Sequence, residues 1–94
     1  MTKSLATLTV ELRRLKILQT LLNATEYTAD LEMLGDYLVV GMMPLIEDAG
    51  WMEERGLIEL DQVDGVTSLR LTRLGKDVAM GRERILGVRR PEPQ

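Results

Sequence analysis

The chain has 94 residues, 45% of them hydrophobic and 29% charged, with a formal net charge of −3 and neither cysteine nor histidine. That length supports one domain with a modest core. The inventory excludes disulfides and thiolate metal sites and lacks the commonest general base, so neither an enzyme nor a bound metal or other cofactor is expected.

No apolar run approaches the ~18 residues that span a bilayer, and the opening MTKSLATLTVELRR carries charges where a signal peptide needs apolar residues. A cytoplasmic protein with no membrane partner is expected. The charge is segregated: residues 1–22 hold four Lys/Arg against one acid, residues 23–64 hold eleven acids against Arg55, and residues 65–94 hold seven Lys/Arg against three acids. A chain of this balance suits nucleic acid only if its two basic ends meet in space.

The first helix is predicted over residues 5–23, with Ser4 as cap. Leu5, Leu8, Leu12, Leu15, Leu18 and Leu22 recur at spacings of three and four, a stripe expected to face the core. Val10, Ile17 and Leu21 lie on the other side of the same helix. They are expected either to meet further elements of the domain or to form the seam of a homodimer.

Around Glu26, Tyr27 and Thr28 a short edge strand is expected, then a second helix capped by Thr28 with Leu31, Leu34 and Leu38 inward. Residues 39–41 turn the chain. Pro44, tolerated only near a helix start, places the third helix at about 43–55. Its inner side is Leu45, Ala49 and Met52; Pro44, Glu47, Asp48, Trp51, Glu54 and Arg55 are expected to be exposed.

Gly56 can take the left-handed conformation that closes that helix, and Leu57, Ile58 and Leu60 follow at once. Asp64-Gly65 is a two-residue hairpin signal, with Leu69 and Leu71 inward on the return strand. Thr72 caps a last helix whose inner face is read as Leu74, Val78 and Ile85. Residues 1–88 are expected to form the domain and residues 89–94 a loose tail.

A helix ending in Glu53-Glu54-Arg55-Gly56-Leu57-Ile58, a hairpin, and then Leu71-Thr72 through Gly75-Lys76-Asp77-Val78-Ala79 resembles the wing half of a winged helix-turn-helix domain. The expected fold is therefore α+β, mainly α: three helices, a two-stranded wing and a C-terminal helix. With Leu15-Lys16-Ile17-Leu18, Leu21-Leu22, Trp51-Met52, Gly81-Arg82 and Gly87-Val88-Arg89-Arg90-Pro91, the whole chain is similar to small uncharacterised ArsR-like winged-helix proteins of Mu-like phages and prophages. The sequence departs from that pattern at the start of the recognition helix, where Met42, Met43, Pro44 and Ile46 occupy positions that are polar or basic in the family.

The resemblance implies a DNA-binding protein of transcription-regulator type, with contacts from Arg70, Arg73, Lys76, Arg13, Arg14 and Lys16. Against it, the third helix carries Glu47, Asp48 and Glu54, which phosphate repels, and it lacks the Lys, Asn and Gln that read base edges. The alternative is a protein-interaction winged helix using Glu47, Trp51 and Glu54, with Val10, Ile17 and Leu21 as a homodimer surface.

Overall fold

The computed structural model describes residues 2–92. Its elements are α1 (Leu5–Leu22), a 3₁₀ turn (Thr25–Tyr27), β1 (Thr28–Asp30), α2 (Leu31–Leu38), α3 (Met42–Glu54), β2 (Ile58–Val63), β3 (Val66–Leu71) and α4 (Arg73–Met80). Four helices surround a three-stranded antiparallel sheet in the order β1-β3-β2, giving an α+β domain with principal extents of 45, 25 and 24 Å. No described helix is long and apolar enough to cross a membrane.

Local chemistry sets most boundaries. The Ser4 hydroxyl accepts from Thr7 N at the start of α1, as the sequence suggests. Asp30, not Thr28, caps α2: its carboxylate accepts from Met33 N, while Thr28 belongs to β1 and pairs with Arg70. α3 closes at Gly56 (φ +74), with Leu57 N donating to Met52 O at 3.0 Å and Gly56 N to Glu53 O at 3.0 Å. Asp64 (φ 52) and Gly65 (φ 78) both take positive φ, the condition for the hairpin turn joining β2 to β3.

The junction of sheet and α4 is tied at Thr72. Its hydroxyl accepts from Gly75 N at 3.0 Å and donates to Gly56 O at 2.6 Å, with Leu57 O only 2.9 Å away. Gly75 is required there by contact, because a Cβ would overlap Leu57 O and lie 2.7 Å from Leu71 Cδ1.

The core joins Leu15, Ile17, Leu18 and Leu21 of α1 to Leu34, Leu45, Met52, Leu57, Ile58, Leu69, Leu71 and Val78. Both sides of the C-terminal half of α1 are therefore inside, packed by α2, β3 and α4. The predicted core stripe fails in the N-terminal half: Leu5 is 81% exposed, and Leu8 and Leu12 are also on the surface. Ile17 and Leu21, read as a homodimer surface, are fully buried within the domain, and Val10 is half-buried.

α4 stops at Met80, because Gly81 takes φ +83, so Ile85 is not on that helix. Leu74 is exposed, and the helix turns Gly75, Val78 and Ala79 inward instead. Residues 82–92 return along α1. Val88 is buried, Arg89 N donates to Glu11 O at 3.1 Å, and Gly81 lies against the Pro91 ring. The tail expected to be loose from residue 89 is thus docked through its first residues; Pro93 and Gln94 lie outside the described residues.

Candidate functional site

α3 is the element around which charged and apolar groups are arranged. Leu45, Asp48, Ala49 and Met52 share one helical stripe, so Asp48 enters the core side by spacing alone. It is 1% exposed, not on the free face expected from its charge. Its Oδ2 accepts from Arg13 Nε and its Oδ1 from Arg14 Nε at 3.0 Å.

Arg14 continues the chain of contacts. Its guanidinium carbon lies 3.9 Å from the centroid of the Trp51 ring, and that of Arg55 lies 3.9 Å from the same centroid. Both guanidinium groups therefore stack on the indole, each contact contributing about 0.5–2 kcal/mol. Arg14 Nη1 also donates to Gly87 O at 3.1 Å. Gly87 (φ +100) sits against the ring edge, where a Cβ would stand 2.6 Å from Trp51 Cη2.

These contacts reassign three residues read from the sequence as contact sites. Arg13 and Arg14 neutralise a buried carboxylate and do not form an open basic surface. Trp51 is covered by two arginines and the C-terminal segment of its own chain, so it is no free anchor. Lys16 remains exposed, on the wall of a groove of about 400 Å³ between α1 and the α2–α3 turn.

The other predicted bases lie around β1. Arg70 pairs across the strands with Glu59 at 3.1 Å, both groups being largely exposed, and such pairs contribute about 0–1 kcal/mol. Lys76 Nζ stands 3.7 Å from the Tyr27 ring centroid, and Tyr27 adjoins Thr28, the residue paired with Arg70. Arg73 is exposed and makes no ion pair among the described residues.

Glu47 and Glu54 are exposed, and residues 23–54 contain no Lys or Arg at all. Apolar side chains stand among these acids: Met33 and Tyr37 on α2, Val39 in the turn, and Met43 and Ile46 on α3 are all exposed. Val39 is 90% exposed and holds φ 55, ψ 50, a left-handed conformation unfavourable for a β-branched residue.

The chain's two basic ends do meet. Lys3, Leu8 and Glu11 of the N-terminal region line a cleft of about 300 Å³ with residues 84–90, including Arg84, Arg89 and Arg90. Lys3 Nζ lies 2.8 and 2.9 Å from the two Glu11 oxygens, so the only acid among the described residues lining that cleft is already paired. Among the described residues there is no group of three or more His, Cys, Asp or Glu side chains placed to hold a metal ion.

No protein-family model matches the chain. Over 44 residues it is 41% identical to the uncharacterized protein gp26 of Escherichia phage Mu. The matched stretch is 47% of this chain and 46% of that protein, so it spans about half the length of the curated relative.

Proposed function

We propose that this chain is a phage-type winged-helix domain that acts by binding and not by catalysis, and that its α2–α3 face engages a protein partner. The order helix, strand, two helices, hairpin, helix and the β1-β3-β2 sheet support the winged-helix reading. The half-chain similarity to a Mu protein supports the phage reading.

The observation that carries the function is the composition of the α2–α3 face. At about 150–200 Å² per large side chain, Met33, Tyr37, Val39, Met43 and Ile46 together expose on the order of 600 Å² of mainly apolar surface, at the upper end of what a monomer normally shows. Glu32, Asp36 and Glu47 are exposed on the same two helices, with no base among them. An apolar surface whose own two helices carry acids and no base repels phosphate and attracts a basic amphipathic segment of another protein; Arg13, held by Asp48, and Lys16 of α1 stand at its edge, in the groove beside Val39.

The test compares two probes by fluorescence anisotropy: a helical Lys/Leu amphipathic peptide and a random DNA duplex. The peptide should bind, Met43→Glu should abolish that binding, and Glu47→Gln with Glu54→Gln should weaken it. Duplex binding at tens of micromolar and low salt, with no peptide binding, would overturn the reading, because non-specific DNA affinity registers in that range.

A second reading, DNA contact, is favoured by one specific observation: the basic ends meet at the cleft of Lys3, Arg84, Arg89 and Arg90. In that case affinity falls with salt at about −0.9 per phosphate neutralised, and Arg84→Ala with Arg90→Ala weakens it. Changes at Arg70, Arg73 and Lys76 weaken it only if the β1 side also touches the backbone.

A further inference from the structure

We infer that the occupant of the α2–α3 face is a second copy of this chain, which presents the cleft between the start of α1 and the C-terminal segment. The inference rests on the protein-binding reading of that face and gives it a partner. Its basis is complementarity of charge and polarity between two surfaces of one molecule.

The first surface is acidic and apolar, with Val39, Met43 and Ile46 beside Asp36 and Glu47. The second is basic and apolar. Leu8 lines the cleft, Leu5 stands in the same first turns of α1, and Leu86 on the opposite wall is 89% exposed. With Glu11 paired to Lys3 and Arg89 within 3.6 Å of Glu92, the uncompensated charge of this surface comes from Arg84 and Arg90. Arg84 and Arg90 make no ion pair among the described residues.

One copy cannot satisfy itself. The cleft uses the side of α1 that bears Leu8 and Glu11, whereas the groove at the α2–α3 turn uses the side that bears Thr9, Leu12, Arg13 and Lys16, with Arg13 held by Asp48. The rigid helix between them holds the two surfaces apart, so the complementary contact is intermolecular. A contact between two different patches is head-to-tail: it closes into a ring or extends, according to the rotation between copies.

The strained Val39 fits this arrangement. Its backbone conformation holds an apolar side chain out in solvent, where it contributes nothing to its own core. Seated against Leu5, Leu8 and Leu86 of another copy, that side chain is desolvated. Opposite charges at the rim favour encounter and make the association sensitive to salt.

Sedimentation of the full chain tests the inference. At low salt and about 20–300 µM the weight-average mass should rise above 10.6 kDa with concentration, and raising salt tenfold should weaken association at least tenfold. Two variants block one surface each: Glu47→Lys with Met43→Glu on the α2–α3 face, and Arg84→Glu with Arg90→Glu on the cleft. All four side chains are exposed, so circular dichroism should show both variants folded.

Each variant alone should remain monomeric. Mixed in equal amounts they should form a species of about 21 kDa, twice the 10.6 kDa chain, and nothing larger, because each supplies the surface the other lacks. A wild-type chain that stays at 10.6 kDa throughout, or a mixture that stays monomeric, overturns the inference. If Met43→Glu still abolishes binding of the Lys/Leu peptide in that case, only the identity of the partner falls. If peptide binding is also absent, the protein-binding reading falls with it.

Discussion

Replacing Asp48 by Asn leaves the side-chain volume unchanged and removes the charge that two arginines share. The carboxylate is 1% exposed and accepts from Arg13 Nε and Arg14 Nε, whose side chains keep 20% and 16% exposure. Removing one partner of a fully buried ion pair costs about 3–5 kcal/mol. Here both cations reach water in part, and Arg14 retains the Trp51 ring and Gly87 O, so the expected loss is about 2–3 kcal/mol. A domain of this size holds only about 5–14 kcal/mol in total, and each kcal/mol moves Tm by about 4–8 °C. Thermal and urea unfolding followed by circular dichroism should therefore show Tm lower by about 10–20 °C with an unchanged m-value. A cycle with Arg13→Gln should return a coupling energy of at least about 1 kcal/mol. An Asp48→Asn variant within ~0.5 kcal/mol of wild type would refute the reasoning, since surface substitutions behave that way.

Gly75→Ala drives a methyl into Leu57 O and to 2.7 Å from Leu71 Cδ1, so the ordinary helix gain of about 1 kcal/mol from Gly to Ala should be reversed into a net loss near 2 kcal/mol or more. A raised urea midpoint would contradict the packing described at that junction. Gly87→Ala meets both a φ of +100 and the Trp51 ring at 2.6 Å, so residues 84–90 should lift and the emission of the sole tryptophan should shift to longer wavelength. An unshifted spectrum with wild-type stability counts against the covering of Trp51. Val39→Gly relieves the left-handed β-branched residue and should stabilise the fold by about 1 kcal/mol while weakening association at the α2–α3 face. A loss of stability would mean that the valine packs within its own chain.

Much of the architecture was legible in the residues themselves because its signals are local. Ser4 and Thr72 act as caps within three residues of themselves, Gly56 ends α3 through its own φ, and Asp64-Gly65 turns the hairpin through two consecutive positive φ values. Those features depend on backbone chemistry that neighbouring residues carry with them, so no distant contact is needed to read them. The edge strand expected around Glu26, Tyr27 and Thr28 is displaced: Glu26 and Tyr27 lie in the 3₁₀ turn, and the strand is Thr28–Asp30, whose partner β3 lies some forty residues away.

Only the tertiary structure decided which apolar and charged side chains are free. Helical spacing sorts α1 into two apolar sides, but burial of either depends on which elements arrive; α2, β3 and α4 enclose the C-terminal half, and Leu5 is left outside. The spacing that places Asp48 among Leu45, Ala49 and Met52 was present in the sequence, yet its charge argued for solvent until Arg13 and Arg14, more than thirty residues earlier, came within hydrogen-bonding reach. The same fold covers Trp51 with residues from both ends of the chain and leaves Val39, Met43 and Ile46 open among acids. Sequence sets the local backbone and the residues available to it; long-range packing sets the dielectric surroundings of each charge, and with them which charges can meet a partner.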